Sequence, residues 1–186
     1  MKLTTEKTIS SETIFEGRVV HLVRDEVELE NGKITTREIV KHPGGACVLA
    51  ITDENKAVMV RQFRYAHKII QLEIPAGKLE YGEDPKLCGI RELKEETGYE
   101  AGSFEYFGKM IPTGAYVGEV IHIYLARELR KTEQMLDEDE FLEIVEIPFE
   151  NAVNMALSGE ITDGKTQVAL LKAWILFNKD AQCAPM

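Results

Sequence analysis

Apolar and polar residues alternate through the first forty residues of the chain, which is the period-two pattern of half-buried β-strands. Two such runs flank Asn31-Gly32, a dipeptide that is typical of tight hairpin turns. We therefore expect residues 1–42 to form a small antiparallel β-sheet. Pro43-Gly44-Gly45 would then join this sheet to a main domain that spans residues 43–186.

Beyond this joint, short apolar runs alternate with helical stretches, which predicts an α/β fold. One helix should begin at Asp84-Pro85, because Asp is a good N-cap and Pro suits the first helical position. The same helix should end at Gly98, a residue type that commonly closes helices. The predicted strands are 46–51, 57–63, 72–74, 104–111, 120–126 and 141–147, and the later helices are 149–158 and 165–178.

The helix that begins at Asp84 carries three glutamates on one side. At 100° per residue, Glu92, Glu95 and Glu96 fall within about a 100° sector. Such a cluster of like charges costs about 0.2–0.5 kcal/mol per pair, and a divalent cation such as Mg²⁺, which prefers oxygen ligands, would remove that cost. We expect the helix to pack on the sheet through apolar residues on its other side, namely Leu87, Ile90 and Leu93.

An acidic helix face taken alone is more often a solvated surface. Here the pattern is longer, because seven positions between Gly77 and Gly98 have a defined spacing. The loop before the helix can bring the backbone carbonyl of Ala76 to the same ion, and Arg91 can hold that loop by pairing with Glu83. The spacing therefore favours a functional site. The seven positions are Gly77, Glu83, Arg91, Glu92, Glu95, Glu96 and Gly98.

This segment resembles the Nudix box, Gly-x5-Glu-x7-Arg-Glu-U-x-Glu-Glu-x-Gly-U, in which U is a bulky apolar residue. Tyr99 at the last position is a mild departure. The resemblance implies an α/β/α sandwich around a mixed sheet and hydrolysis of a nucleoside diphosphate linked to another group. It also implies that Glu92 and Glu96 bind Mg²⁺, with Mn²⁺ as a substitute, together with the Ala76 carbonyl.

Further segments are similar to the bacterial ADP-ribose and nucleotide-sugar pyrophosphatases of this family. They include residues 36–44, 60–65, 73–78 and 136–141. The similarity implies a small-molecule nucleoside diphosphate sugar as substrate and a homodimer that exchanges the N-terminal sheet. Arg37 and Arg64 would bind the phosphates of the substrate, since a guanidinium matches phosphate oxygens well.

The acidic run at residues 137–140 would ordinarily be a solvated loop. In the resembling branch, a glutamate from this loop orients or deprotonates the attacking water. We expect Glu140 to be that base, with Glu138 as the second candidate. If neither acts, Glu95 on the helix is the remaining candidate.

One stretch departs from the resembling branch. Members that are specific for ADP-ribose carry a Ser-Pro-Gly run about fifteen residues after the box, whereas this chain has its Pro displaced there. Gly114 and Glu119 in this stretch are candidate substrate-binding residues. Strict specificity for ADP-ribose is not expected, and a GDP- or UDP-linked sugar remains open.

Composition narrows the class of partner. Asp and Glu number 32 against 22 Lys and Arg, for a net charge of −10, which argues against nucleic acid. No apolar run reaches the length of a membrane span, and the first residues lack the apolar core of a signal peptide. Three widely spaced cysteines suggest reduced thiols in the cytoplasm.

Two other functions remain open. A non-catalytic nucleotide sensor would usually have an eroded box, whereas this box is intact. A hydrolase of RNA caps or dinucleoside polyphosphates would need a basic or aromatic channel for its longer substrate, and the sequence shows no sign of one.

Overall fold

The computed structural model describes residues 5–136 and 140–182, with side chains as far as Lys179. This part of the chain forms two compact units. One runs to Gly44 and also includes Ile111–Val120, while the other contains Gly45–Met110 and the chain from Ile121 onward. The alternation pattern predicts a boundary near residue 42, but it gives no sign that Ile111–Val120 belongs to the first unit.

The first unit is a three-stranded antiparallel sheet in the order β1-β2-β3. Gly32 turns the chain between β2 and β3 with a φ of 76°, a conformation that glycine adopts without strain. Val40 anchors the later stretch of this unit, since its N–H donates to the Tyr116 carbonyl at 2.8 Å. The strands are β1 (Lys7–Glu16), β2 (His21–Glu28) and β3 (Ile34–Lys41).

The second unit is a mixed sheet with helices on both faces. The strand order is β10-β5-β4-β9-β8, with β6 paired to β5 and β7 to β4, and only the β4–β9 pair is parallel among the described strand pairs. The strands are β4 (Gly45–Ile51), β5 (Lys56–Arg64), β6 (Ile69–Glu73), β7 (Ala76–Lys78), β8 (Tyr99–Met110), β9 (Ile121–Lys131) and β10 (Leu142–Pro148). The helices are α1 (Pro85–Thr97), α2 (Phe149–Ser158) and α3 (Gly164–Gln182).

Strand β4 lies between two hydrophobic cores and is buried along its whole length. Alternate residues such as Leu49 pack with Val153 of α2 and Leu170 of α3. The residues between them, such as Val48, pack with Leu93 of α1. Because successive side chains of a strand point to opposite faces, this pattern places α1 on one face and α2 with α3 on the other. The expected α/β/α sandwich around a mixed sheet is confirmed.

No helix within residues 5–136 and 140–182 is long and apolar enough to cross a membrane.

Candidate active site

Helix α1 begins and ends where its capping residues predict. The Asp84 side chain accepts a hydrogen bond from the Lys86 N–H at 2.8 Å, and Pro85 is the first helical residue. Gly98 closes the helix in the left-handed conformation, with a φ of 65°. These two ends set which residues of α1 face the preceding loop.

The prediction that α1 packs through Leu87, Ile90 and Leu93 is wrong for two of the three. Leu87 is 61% exposed and Ile90 is 41% exposed, and only Leu93 is buried. The helix instead buries the side that carries Glu92 and Glu96, which are 8% and 4% exposed.

Two glycines explain this orientation. A side chain at Gly89 would begin 3.1 Å from the Phe104 ring and 3.3 Å from the Tyr124 ring, so the helix approaches the sheet closely there. At Gly77, a Cβ would lie 1.9 Å from the Glu92 carboxylate. Because Gly77 has no side chain, the Glu92 carboxylate can pack directly against the backbone of this loop.

Glu96 is the most deeply buried carboxylate of α1. Its Oε2 accepts a hydrogen bond from the Ala76 N–H at 3.0 Å. Burial raises the pKa of Glu96 to about 8. The hydrogen bond from the Ala76 N–H acts in the opposite direction, while the nearby charges of Glu92 and Glu140 add to the rise. The charge of Lys165 lowers this pKa by less than either Glu92 or Glu140 raises it, so the Glu96 carboxylate is short of positive charge.

Burial also raises the pKa of Glu92, and the charges of Glu95 and Glu140 add to this effect. Arg91 opposes it, because its Nη1 donates to Glu92 at 2.7 Å and to Glu95 at 2.9 Å. The predicted pair between Arg91 and Glu83 is present, with Nε donating to Oε1 at 3.2 Å. Arg91 thus ties the acidic helix to the loop that precedes it.

These residues fit a hard divalent cation. Glu92 and Glu96 are buried carboxylates that repel each other and Glu140, and oxygen donors of this kind are what Mg²⁺ prefers. Within the described ranges, no three acidic, His or Cys side chains already converge as metal ligands. Because Arg91 binds one oxygen of Glu92, a cation would need this carboxylate to turn or to use its other oxygen.

A second charged cluster lies at the other end of the same loop. Arg64 donates twice to Glu73, from Nε at 2.6 Å and from Nη2 at 2.7 Å, and Lys165 donates to Glu73 as well. Lys165 also donates to Asp163 at 3.0 Å. Burial alone would raise the pKa of Glu73, but these cations outweigh it and lower the pKa.

The sequence reasoning missed Glu73, Asp163 and Lys165. The one available signal was Asp163 three residues before Thr166, the spacing of a helix cap, and the structure shows that cap with Thr166 N–H donating to Asp163 at 3.0 Å. Beside this cluster is an open cavity of about 470 Å³. Its lining includes Arg64, Tyr65, His67, Gln71, Glu73 and Lys165.

The remaining predicted residues are distributed over both units. Glu140 is half-buried in the second unit and acts electrostatically on Glu92 and Glu96, whereas Glu138 lies outside the described residues. Arg37, Gly114 and Glu119 belong to the first unit. There Arg37 pairs with Glu6 at 2.7 Å, Glu119 lies 3.9 Å from His42, and Gly114 is exposed.

The family profile of the NUDIX domain matches residues 41–168, more than half of the chain. The chain belongs to the Nudix hydrolase family. The profile of the nucleoside diphosphate sugar hydrolase N-terminal domain matches residues 6–40, which contain the three-stranded sheet apart from the last residue of β3. Nudix hydrolases generally use divalent metal ions, in agreement with the oxygen donors found on α1.

Two relatives are similar to this Nudix hydrolase along most of its length. The ADP-ribose pyrophosphatase of Bacillus subtilis (strain 168) is 47% identical over 172 residues, covering 91% of this chain and 93% of the relative. The methanol dehydrogenase activator of Bacillus methanolicus is 48% identical over 171 residues, covering 91% and 92%. A crystal structure of an ADP compounds hydrolase has the same fold, with a TM-score of 0.84, 19% identity and coverage of 97% and 98%.

Proposed function

We propose that this Nudix hydrolase cleaves the pyrophosphate bond of ADP-ribose or a related nucleoside diphosphate sugar in a Mg²⁺-dependent reaction. The products would be a nucleoside monophosphate and a sugar phosphate. The observation that carries the proposal is the pair of buried carboxylates, Glu92 and Glu96, together with the charge of Glu140, which raises the pKa of both. Buried oxygen donors whose charges the protein's own cations, such as Arg91, balance only in part suit a hard metal ion that binds together with phosphate.

The residues of α1 and its loop supply the metal site in this proposal. Glu92, Glu96 and the Ala76 carbonyl would hold Mg²⁺, for which Mn²⁺ could substitute. When bound, such an ion neutralises phosphate charge and activates water. Arg91 pairs with Glu83 of the loop and with Glu95 of α1, and so holds the helix and the loop together.

Glu140 is the proposed general base, which accepts a proton from the attacking water. Its support is that its charge acts on both Glu92 and Glu96, so it lies close to the proposed reaction centre. Glu138 and Glu95 remain the alternatives. Glu95 is already hydrogen-bonded to Arg91 at 2.9 Å, which makes it a weaker base.

Arg64 is the proposed phosphate-binding cation of the second unit. Pairing with Glu73 uses two of the five N–H donors of a guanidinium, and 41% of the Arg64 side chain is exposed. The adjacent cavity of about 470 Å³ is of the size that small-molecule ligands occupy. Arg37, Gly114 and Glu119 are proposed to bind substrate from the first unit.

The substrate class rests on similarity. The N-terminal match is to a nucleoside diphosphate sugar hydrolase domain, and one relative is named for ADP-ribose. The displaced Pro112 in the stretch before Gly114 supports a broader specificity than ADP-ribose alone.

A cytoplasmic location is part of the proposal, since Cys47 and Cys88 are free thiols.

A homodimer is also proposed, formed through the N-terminal sheet. Every residue of β1 is exposed, although the strand contains Ile9, Ile14 and Phe15. A small sheet whose outer strand leaves apolar residues exposed buries little area by itself, so a partner subunit would cover them. Sedimentation of the full chain tests this, and a fully active monomer would contradict it.

The test of the reaction is a substrate panel. The purified protein is incubated with ADP-ribose, GDP-mannose and UDP-glucose in Mg²⁺, and the monophosphate products are detected as phosphate released by an added phosphatase. We expect turnover of at least one sugar nucleotide, abolished by EDTA. Binding of the panel without turnover would favour the nucleotide sensor, and turnover only of dinucleoside polyphosphates or capped RNA would favour the other hydrolase class.

A further inference from the structure

The segment Glu73–Ala76 is held at every residue by bonds that reach distant parts of the chain. The Glu73 carboxylate binds Arg64 and Lys165, the Pro75 carbonyl accepts from the Val48 N–H at 2.9 Å, and the Ala76 N–H donates to Glu96. This segment therefore connects the charged cluster at Glu73 to the carboxylate that is proposed to bind metal.

The remaining residue of the segment, Ile74, is hydrogen-bonded to the start of α3. The Thr166 hydroxyl accepts the Ile74 N–H at 2.9 Å and donates to the Asp163 carboxylate at 2.5 Å. Both Thr166 and Ile74 are completely buried, so water cannot replace this hydroxyl. The two partners are 92 residues apart in sequence, and the hydroxyl joins α3 directly to the loop before α1.

We propose that Thr166 is a positioning residue for the divalent metal site. By fixing Ile74, it sets the backbone of Ala76, and Ala76 in turn fixes Glu96 through its N–H. Without the hydroxyl, the Ile74 N–H and the Asp163 carboxylate lose their buried partner, and the segment shifts to find others. Outer residues that orient metal ligands in this way typically change metal affinity about 10- to 100-fold when they are replaced.

This inference rests on the proposed metal site, and its test measures metal binding directly. Mn²⁺ is titrated into the metal-free full-length protein and followed by electron paramagnetic resonance, for the wild type, Thr166→Val and Thr166→Ser. Val has nearly the shape of Thr but no hydroxyl, while Ser restores the hydroxyl. We expect the dissociation constant of Thr166→Val to rise about 10-fold or more, and that of Thr166→Ser to return to within about 3-fold of wild type.

Thr162→Val is the matched control, since Thr162 is an exposed threonine in the same loop and its replacement should leave Mn²⁺ binding unchanged. If Thr166→Val does not fold, Thr166→Cys takes its place, because a thiol has about the size of the Ser hydroxyl but is only a weak hydrogen-bond donor and acceptor. Circular dichroism shows which variants are folded.

The outcomes separate the two proposals. Wild-type affinity in folded Thr166→Val overturns the positioning role and leaves the proposed function intact. Weakened binding in both Thr166→Val and Thr166→Ser would mean that the metal site responds to any change of shape at position 166 and not specifically to the hydroxyl, which also overturns it. Absence of Mn²⁺ binding by the wild type overturns the metal site itself.

Discussion

Glu73 and Glu96 are two buried glutamates at opposite ends of one short segment, since Glu73 is its first residue and Glu96 accepts the N–H of its last residue, Ala76. Their surroundings are opposite. Glu73 is 2% exposed and is paired with two cations of the protein, Arg64 and Lys165. Glu96 is 4% exposed and has one backbone N–H as donor, with the charges of Glu92 and Glu140 nearby. The pKa of Glu73 is lowered, whereas that of Glu96 is raised to about 8.

This difference in ion pairing distinguishes a buried carboxylate with a structural role from one that is suited to bind a ligand. A buried charge is costly unless it is paired, and the fold supplies the pairing at Glu73. At Glu96 the fold buries the carboxylate next to other carboxylates, as expected if a cation from outside the chain completes the pairing. We infer that the Glu96 end is the metal-binding end of the site and that the Glu73 end supports it.

The largest effect should come from Glu96→Gln, which keeps the size of the side chain but removes its charge. We expect the hydrolysis rate in Mg²⁺ to fall at least about 100-fold, because the proposed metal loses a charged ligand. The fold should survive, since the amide oxygen can still accept the Ala76 N–H. Near-normal turnover of this variant at low Mg²⁺ would refute the assignment.

Replacement of the proposed base should reduce turnover without reducing affinity. We expect Glu140→Gln to lower kcat about 100-fold with little change in the dissociation constant of substrate, because a base acts in the transition state. Steady-state kinetics and calorimetry measure the two quantities. Glu138→Gln, from the same acidic run of the sequence, is the control. If kcat falls strongly only in Glu138→Gln, Glu138 is the general base. If kcat falls only a few-fold in both variants, Glu95 is the remaining candidate for the base.

Glu73→Gln should act on stability, in contrast to Glu96→Gln. Removing the Glu73 charge leaves Arg64 without its buried partner and leaves Lys165 with Asp163 alone, and we expect the free energy of unfolding to fall by about 3 kcal/mol. Urea unfolding at neutral pH measures it. Glu100→Gln, which breaks an exposed pair with Lys94, serves as the control and should have no measurable effect. Unchanged stability of Glu73→Gln would contradict the structural role that distinguishes Glu73 from Glu96.

A smaller effect should appear in the pH dependence of the metal-free protein. The pKa of Glu96 is about 8 in the folded state and near 4.5 when unfolded, so between these values the unfolded chain releases a proton that the folded chain retains. Stability should therefore fall as pH rises from about 5 to 8. We expect thermal unfolding in EDTA to show this fall in the wild type and a flatter profile in Glu96→Gln. Equal slopes would contradict the raised pKa.

Local signals predicted the elements well. Asp84, Pro85 and Gly98 placed both ends of α1, and Asn31-Gly32 placed the β2–β3 turn. Strand lengths were harder to predict: β8 begins at Tyr99, directly after the helix cap, although its most apolar part starts at Phe104. Pairing with β9 decides that boundary, and pairing partners are not visible in a single strand.

Long-range contacts account for what the sequence could not predict at the site. Nothing near Ile74 indicates that its N–H will meet Thr166, and nothing near Gly77 indicates that Glu92 will lie against it. The side of α1 that packs was also mispredicted, because the count of apolar residues favoured Leu87 and Ile90 while the close approach at Gly89 decided the outcome. The motif identified the metal candidates, but their burial emerges only from the fold.

The most direct test of the central claim is the location of a metal ion in crystals of the full-length protein soaked in Mn²⁺. Anomalous difference density locates Mn²⁺ without reference to activity. We expect a peak between the carboxylates of Glu92 and Glu96, within ligand distance of the Ala76 carbonyl, and no peak beside Glu73, where Arg64 and Lys165 already supply the positive charge. Absence of a peak at Glu96 in well-occupied crystals, or a peak at Glu73 instead, would contradict the account.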